Sequence, residues 1–345
     1  MKFDILPFQK RLTAFQELGK QIAHSLTNGD FDVLIKQQSI ENKWFTEENC
    51  RFALQALVTM LDEKSCEQFF LKYQHCFTKE QKSQHIAVIS AGNIPCAAFH
   101  DFFCVLVSGN RFIGKLSKQD ALLLPFLSKM LVKIMPEFAE KISFVEKLPE
   151  FDKIIATGSN NSARYFEYYF KDKPMLLRKN RNSIAILTGN ETENDLKELS
   201  IDVFQYFGLG CRSVAKLFVP ENYDFEKLIA VFKEASKPLA SHNGYQNNYE
   251  YYRAVFALNK IPYFDGDSFL LTQNHALASP ISVVYYEEYE NINDVKIKIQ
   301  PRQNEIQCIV SGALAVENCI AFGKTQYPSL FDYPDNEDIL LFCTH

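Results

Sequence analysis

The chain has 345 residues, enough for two domains, with 47% hydrophobic residues and a mean hydropathy of −0.17, which is typical of a soluble globular protein. Its formal net charge of −5 offers no basic face for nucleic acid. The first residues lack the apolar core of a signal peptide, and no run of about 18 apolar residues predicts a membrane span.

Cysteine usage points to a reducing compartment. The nine cysteines are odd in number and scattered along the chain, and none forms a CxxC pair or a cluster with histidine. This pattern favours neither a disulfide framework nor a metal site, so we expect a reduced, cytoplasmic protein without a bound metal.

The first 80 residues are predicted to be helical. Apolar residues recur at three- and four-residue spacing over positions 8 to 26 and 47 to 61. Thr46 precedes the second run in an N-terminal capping pattern. These residues therefore predict a helical segment that precedes the main fold.

Strands and helices alternate from residue 85 onward. Short apolar runs predict strands at 85–90, 111–117, 142–145, 153–156, 183–187, 214–219, 282–286 and 305–310. Helical patterns fall between the earlier runs, at 95–107, 120–134, 157–170, 193–206 and 225–235, whereas 237–267 is rich in Asn, Tyr and Gly and predicts irregular structure. The alternation predicts a parallel sheet, with ligands at the turns containing Asn93, Ser117 and Ser159.

A glycine-rich loop contains the candidate nucleophile. Gly208 and Gly210 lead to Cys211, and a strand-like run follows at once. A thiol in such a loop has the access that a nucleophile needs, since the thiolate must reach an electrophile. A cysteine in a loop is equally often a small packing residue, and the loop alone does not decide between the two.

Four motifs occur in a characteristic order. They are SAGNIP at 90–95, GNRFIGKLS at 109–117, TGS at 157–159 and FGLGCRSV at 207–214. In this order, and with LLRKNRNSIAIL at 176–187, the chain resembles the aldehyde dehydrogenase superfamily over residues 40 to 345. Within that superfamily it resembles the acyl-CoA reductases related to the luminescence fatty acid reductase.

The resemblance implies an α/β fold with two parallel-sheet, Rossmann-like domains and an N-terminal helical segment. The expected divisions are an N-terminal helical segment at 1–80, a cofactor-binding domain at 81–177, a catalytic cysteine domain at 178–318 and a C-terminal segment at 319–345.

The resemblance also assigns roles to single residues. It implies that Cys211 is the nucleophile and that the Asn93 amide helps to bind the oxyanion. Lys115 would contact the adenosine ribose of the cofactor, and Gly158 and Ser159 would open the helix that faces its pyrophosphate. Without the resemblance, Asn93 is an ordinary turn former and Ser159 an ordinary helix N-cap.

Two departures from the superfamily pattern narrow the expected chemistry. Leu177 stands where ordinary aldehyde dehydrogenases have the glutamate that activates water for hydrolysis of the acyl-enzyme. Lys118, just after Ser117 in the cofactor turn, stands where NAD-preferring relatives often have a glutamate. A lysine attracts a 2′-phosphate, so the resemblance implies NADPH in preference to NADH, with Ser117 and Lys118 at the cofactor. A third departure is the absence of a clear counterpart for the glutamate that holds the nicotinamide ribose.

The predicted function is therefore NADPH-dependent reduction of a long-chain fatty acyl-CoA to the aldehyde through an acyl-cysteine intermediate. The alternatives are a cysteine acyltransferase or thioesterase without hydride transfer, and a non-catalytic acyl-binding protein. The resemblance also implies an acyl-transferring protein partner, and a homo-oligomer is a further expectation.

Two interpretations stay open for the basic residues Arg178, Lys179 and Arg181: a solvated strand edge, or contact with the phosphates of coenzyme A.

Overall fold

The computed structural model describes residues 7–78, 82–312 and 319–345. The expected boundaries at residues 80 and 318 lie outside these ranges. The chain forms two compact units, one made of residues 1–180 with 327–345 and the other of residues 181–326. Among the described residues, no helix combines the length and the apolar character that crossing a membrane requires.

The helices of the described chain are named in chain order. They are α1 (Phe8–Asn28), α2 (Asp32–Glu41), α3 (Glu47–Met60), α4 (Glu63–Tyr73), α5 (Phe99–Val107), α6 (Leu123–Ile134), α7 (Asn160–Tyr169), α8 (Glu193–Phe204), α9 (Glu226–Ser236), α10 (Asn243–Asn259), α11 (Ile292–Ile299) and α12 (Ile339–Thr344).

The strands are named in the same way. They are β1 (His85–Ile89), β2 (Arg111–Lys115), β3 (Ile142–Phe144), β4 (Lys153–Thr157), β5 (Met175–Arg178), β6 (Asn182–Ile186), β7 (Val214–Pro220), β8 (Phe264–Asp265), β9 (Leu270–Gln273), β10 (Val283–Tyr289) and β11 (Ile306–Val310).

The first unit is built on a parallel sheet with the strand order β3-β2-β1-β4-β5. The chain leaves β1 toward β2 on one side and returns to β4 on the other, so a topological switch point lies between β1 and β4. Helices α1, α3 and α5 contribute to its main core, in which Phe15, Phe102 and Phe103 are fully buried. Phenylalanines thus supply much of the apolar packing of this unit.

The second unit is built on a sheet with the strand order β11-β6-β7-β10-β9-β8. All pairings are parallel except that of β8 with β9. Apolar clusters cover both faces of its central strands, with Leu217 and Val219 in one cluster and Phe218 in the other. The predicted fold class, two parallel-sheet α/β domains with an N-terminal helical segment, is confirmed.

Most predicted elements are present, and one region was predicted wrongly. Residues 237–267 are not irregular throughout, because they contain the 17-residue helix α10. Tyr245, Tyr249 and Phe256 are buried from this helix, and the His242 side chain caps its first turn. The packing of this face outweighs the low helix propensity of the Asn- and Gly-rich sequence.

Candidate active site

The turns that follow β1, β2 and β4 contain all the predicted cofactor residues and Asn93. Because these three strands are neighbours in a parallel sheet, their carboxyl ends lie at one edge, and β1 and β4 border the switch point. Open α/β sheets bind ligands at such an edge. The sheet therefore brings six of the seven predicted site residues to one edge of the first unit, whereas Cys211 lies in the second unit.

The edge presents cationic and hydrogen-bonding groups to solvent. Asn93, Lys115 and Lys118 are exposed, and Ser117 is half-buried. Lys115 is the last residue of β2, and Ser117 caps a short turn of 3-10 helix by accepting a hydrogen bond of 3.3 Å from the Gln119 N–H. Two ammonium groups on one short turn make this edge suitable for an anionic ligand.

The turn after β4 leads directly into α7. The Ser159 hydroxyl accepts a hydrogen bond of 3.3 Å from the Ser162 N–H and caps the helix. A Cβ at Gly158 would lie 2.8 Å from Cβ of Ser162 and 3.0 Å from the Phe166 ring, so glycine permits this close approach of helix and strand. A helix N-terminus at the same sheet edge as Lys115 and Lys118 is suited to a pyrophosphate group.

Cys211 differs from the other cysteines in exposure. All nine lie in the described part of the chain, none of them forms a disulfide there, and Cys211 is the exposed one. Burial raises the pKa of Cys50 and Cys66 to about 12 and those of Cys96 and Cys104 well above the ordinary range. Those four thiols stay protonated and inaccessible, so Cys211 is the best placed to react.

The backbone before Cys211 has an unusual conformation. Tyr206, Phe207 and Gly208 adopt left-handed values of φ, at 54°, 60° and 74°. Such a conformation is unfavourable for the first two residues and costs about 1–3 kcal/mol each, so the surrounding structure must hold it. Both aromatic side chains are buried, and the Phe207 ring lies 4.4 Å from the His242 ring and 5.8 Å from the Tyr245 ring.

Two hydrogen bonds hold the Cys211 loop. The hydroxyl of Ser183, a fully buried residue of β6, donates to the Cys211 carbonyl oxygen at 3.0 Å and accepts from the Cys308 N–H at 3.1 Å. In addition, Nε of Arg212 donates to the Thr325 carbonyl oxygen at 2.5 Å. Arg212 therefore ties the loop to the chain near Thr325.

Asp202 of α8 anchors the segment that Arg212 contacts. Its carboxylate is buried and accepts hydrogen bonds from the Gly323 N–H at 2.7 Å, the Thr325 N–H at 3.0 Å and the Thr325 hydroxyl at 2.7 Å. Burial raises the pKa of Asp202, and these three donors oppose that shift. Neither Ser183 nor Asp202 was predicted from the sequence, although a polar residue inside an apolar pattern, such as Asp202 beside Val203, is a recognisable signal.

Within the basic cluster, Arg178 differs from both sequence-based interpretations. Arg178 is neither solvated nor available to a ligand, because it is buried and forms two hydrogen bonds of 2.7 and 2.8 Å with the Asp101 carboxylate. Lys179 is exposed and forms an ion pair of 2.9 Å with Glu167. His100 is half-buried, and its Nε2 lies 3.1 Å from the Leu330 carbonyl oxygen.

Leu177 occupies the carboxyl end of β5, paired with Ala156 of β4. Its half-buried side chain packs in an apolar cluster with Ile154 and Phe166. Leu177 is therefore part of the apolar packing of the first unit.

Comparison with solved structures establishes the class of fold. No protein-family model matches the chain, and no curated protein matches its sequence. Its structure is similar to aldehyde dehydrogenase 21 from Physcomitrella patens, solved with the product succinate, at a TM-score of 0.69 and 12% identity over 98% of this chain and 84% of that one.

Two bacterial structures show the same likeness. An NAD-dependent aldehyde dehydrogenase from Sinorhizobium meliloti gives a TM-score of 0.65 at 11% identity over 92% of this chain and 74% of that one. A Mycobacterium tuberculosis aldehyde dehydrogenase complexed with NAD+ gives a TM-score of 0.62 at 14% identity, over 88% of this chain and 73% of that one. This chain has the α/β fold of the aldehyde dehydrogenases.

Proposed function

We propose that the protein is an NADPH-dependent acyl-CoA reductase that uses Cys211 as its nucleophile. The observation that carries the proposal is the exposed Cys211 thiol on a strained loop held by Ser183 and Arg212, in a fold of the aldehyde dehydrogenase type. Leu177 favours reduction over oxidation to a free acid, because a leucine cannot activate water.

In the proposed first step the Cys211 thiolate attacks the carbonyl carbon of the acyl-CoA thioester. The new C–S bond forms as the carbonyl π electrons move to oxygen, and the Asn93 amide and the Cys211 N–H stabilise that oxyanion. Losing one such donor typically costs about 3 kcal/mol, or a hundredfold or more in rate. Collapse of the tetrahedral intermediate releases the coenzyme A thiolate and leaves the acyl group on sulfur.

The residues at the sheet edge fit a dinucleotide. The α7 N-terminus with Ser159 suits the pyrophosphate, Lys115 suits the adenosine ribose, and Lys118 with Ser117 suits the 2′-phosphate of NADPH. When bound, the dinucleotide supplies the hydride that reduces the acyl group. Reduction leaves a thiohemiacetal alkoxide on Cys211. Its oxygen electrons re-form the carbonyl as the C–S bond breaks, and the sulfur takes a proton, which releases the aldehyde and restores the thiol.

The test is turnover by the purified protein with fatty acyl-CoA of several chain lengths. We expect one aldehyde and one free coenzyme A for each NADPH consumed, and no turnover by Cys211→Ala. Cys76→Ala, which removes a partly exposed thiol of the first unit, is the matched control and should retain activity. Release of free acid without NADPH consumption would instead identify a thioesterase, and no reaction at any chain length would contradict the proposal.

A further inference from the structure

Two of the turns at the edge of the first sheet are joined to each other. They are the Asn93 turn, residues 90–97, and the cofactor turn, residues 115–120. The Ser117 N–H donates to the Ser90 hydroxyl at 3.3 Å, and the Ser90 N–H donates to the Lys115 carbonyl oxygen at 3.2 Å. A Cβ at Gly92 would lie only 2.3 Å from the Ser117 hydroxyl oxygen, so the two turns are in direct contact.

Asp120 makes a second connection between these turns. It is the last residue of the cofactor turn and is 2% exposed. Its Oδ2 accepts a hydrogen bond of 3.1 Å from the Ala97 N–H, and the Cys96 backbone also bonds to its carboxylate. Cys96 has a φ of 60°, which is unfavourable for a residue other than glycine. The Asp120 carboxylate therefore holds a strained part of the Asn93 turn.

Using a buried carboxylate as the hydrogen-bond acceptor of this turn costs folding free energy. In the described part of the chain, Oδ1 of Asp120 is buried without a hydrogen-bond partner, and so is Oε1 of Gln38. The Nε2 of Gln38 donates to the Gln119 carbonyl oxygen at 3.0 Å, next to Asp120 in the sequence. Desolvation outweighs the two backbone donors and raises the pKa of Asp120 to about 7. A neutral asparagine would accept the same N–H bonds without the desolvation of a charge. A titratable group with such a pKa beside a candidate site suggests a functional role.

We propose that Asp120 is a positioning residue whose ionised carboxylate fixes the Asn93 turn against the cofactor turn, so that the oxyanion donor and the cofactor are aligned. This proposal rests on the proposed function, in which Asn93 binds the oxyanion. Ionisation strengthens the hydrogen bonds from Cys96 and Ala97, because a charged acceptor binds an N–H about twice as strongly as a neutral one. Ionisation of Asp120 should therefore increase the rate of catalysis, although it does not stabilise the folded state.

Asp120 changes charge near neutral pH, whereas two thiols that interact with it do not. Asp120 interacts electrostatically with the thiols of Cys50 on α3 and Cys96 in the Asn93 turn. Burial is the main cause that raises both pKa values, that of Cys50 to about 12, and Glu47 adds to the shift at Cys50. Both thiols stay neutral across the pH range in which Asp120 ionises.

The kinetic test compares Asp120→Asn with the unmodified protein across pH. The ratio of their kcat values, unmodified over variant, should rise from near one below about pH 6 to about tenfold above about pH 8. The KM values for acyl-CoA and NADPH should change little, because the Asp120 side chain is buried away from the surface at which a ligand would bind. Asp120→Ala, which removes the acceptor altogether, should lower kcat by about a hundredfold at all pH values.

If Asp120 had only a structural role, its substitution would change the unfolding free energy but not the pH dependence of the kcat ratio. Asp62→Ala is the matched control, since Asp62 accepts the Ser65 N–H at 2.6 Å at the start of α4 and lies outside both turns. It should lower stability and leave the pH profile of kcat unchanged. A ratio for Asp120→Asn that stays constant with pH, in a protein that does reduce acyl-CoA, would overturn the proposal.

Hydrogen exchange separates a failure of this proposal from a failure of the proposed function. The amides of Cys96 and Ala97 should exchange at least tenfold faster in Asp120→Ala than in the unmodified protein, whether or not the protein turns over acyl-CoA. An absence of turnover with faster exchange would contradict the proposed function and leave Asp120 as the residue that holds this turn. Unchanged exchange at both amides would contradict the positioning role itself.

Discussion

The Ser183 hydroxyl donates a hydrogen bond of 3.0 Å to the carbonyl oxygen of Cys211. Ser183 lies on β6 and is fully buried, whereas Cys211 lies on an exposed loop. The bond ties the backbone of the candidate nucleophile to a central strand of the second sheet. In the proposed reaction the Cys211 N–H must face the oxyanion, so the orientation of this backbone has chemical consequences.

Ser183→Ala should therefore slow acylation of Cys211. We expect a decrease of about tenfold in the rate of adduct formation with acyl-CoA, because the loop loses its fixed orientation. Unfolding free energy should fall by about 1–3 kcal/mol, since the Cys308 N–H loses its acceptor.

Ser236→Ala is the control for this change. Ser236 is also fully buried in the second unit, and its hydroxyl bonds to that of Ser268 at 2.7 Å. It should destabilise the protein to a similar degree and leave the acylation rate unchanged. Equal acylation rates in both variants and the unmodified protein would show that the Ser183 bond has no role in the chemistry.

Lys118→Glu should reverse the cofactor preference. The ammonium group at this exposed position attracts the 2′-phosphate of NADPH, whereas a carboxylate repels it and can accept hydrogen bonds from the ribose hydroxyls of NADH. We expect kcat/KM for NADPH to fall by about tenfold to a hundredfold relative to that for NADH. Lys129→Glu, on the exposed side of α6, changes the net charge equally and should leave the ratio unchanged.

The buried pair of Arg178 and Asp101 should contribute to folding rather than to binding of coenzyme A. Arg178→Met leaves an uncompensated buried carboxylate and should cost about 3–5 kcal/mol of unfolding free energy. The double variant Arg178→Met, Asp101→Leu removes both charges and should recover much of this loss. Denaturant unfolding of Arg178→Met, Asp101→Leu and the double variant measures the coupling, and additive losses would contradict it.

Asp120 should make stability depend on pH. Its folded-state pKa is raised from 3.8 to about 7, so between these values the folded protein keeps a proton that the unfolded chain has lost. The contribution to stability is therefore fully present below about pH 4 and declines as pH rises toward 7. Relative to the unmodified protein, Asp120→Asn should gain about 3 kcal/mol between pH 5 and pH 8. A constant difference in unfolding free energy would contradict this assignment.

The sequence predicted the architecture because its signals are local. Apolar runs such as that of β1 and the turns that follow them are readable residue by residue, and together they predicted the parallel sheets. Helix α10 was missed because its residues have low helix propensity, and only its packing through Tyr245 and Tyr249 explains it. Helix α5 begins at Phe99, four residues later than predicted, because Cys96 takes a left-handed conformation.

The candidate site was predictable in its exposed groups and not in the buried ones that support them. Asn93 and Ser159 follow predicted strands and Lys115 lies near the end of one, so their common edge follows from sheet topology. The contacts of Ser183 and Asp120 join residues far apart in sequence, at separations of 28 and 23 positions, and no local pattern encodes such pairings. The same holds for Arg178, whose partner Asp101 lies 77 positions away.

The central claim is that Cys211 becomes acylated by acyl-CoA and is then discharged by reduction. Intact-mass spectrometry tests it most directly, on the protein exposed to fatty acyl-CoA without NADPH and again after NADPH is added. We predict an increase equal to one acyl group, absent in Cys211→Ala and present in Cys76→Ala, which disappears with NADPH as aldehyde is released. No adduct on Cys211, or an adduct lost equally fast without NADPH as free acid, would contradict the account.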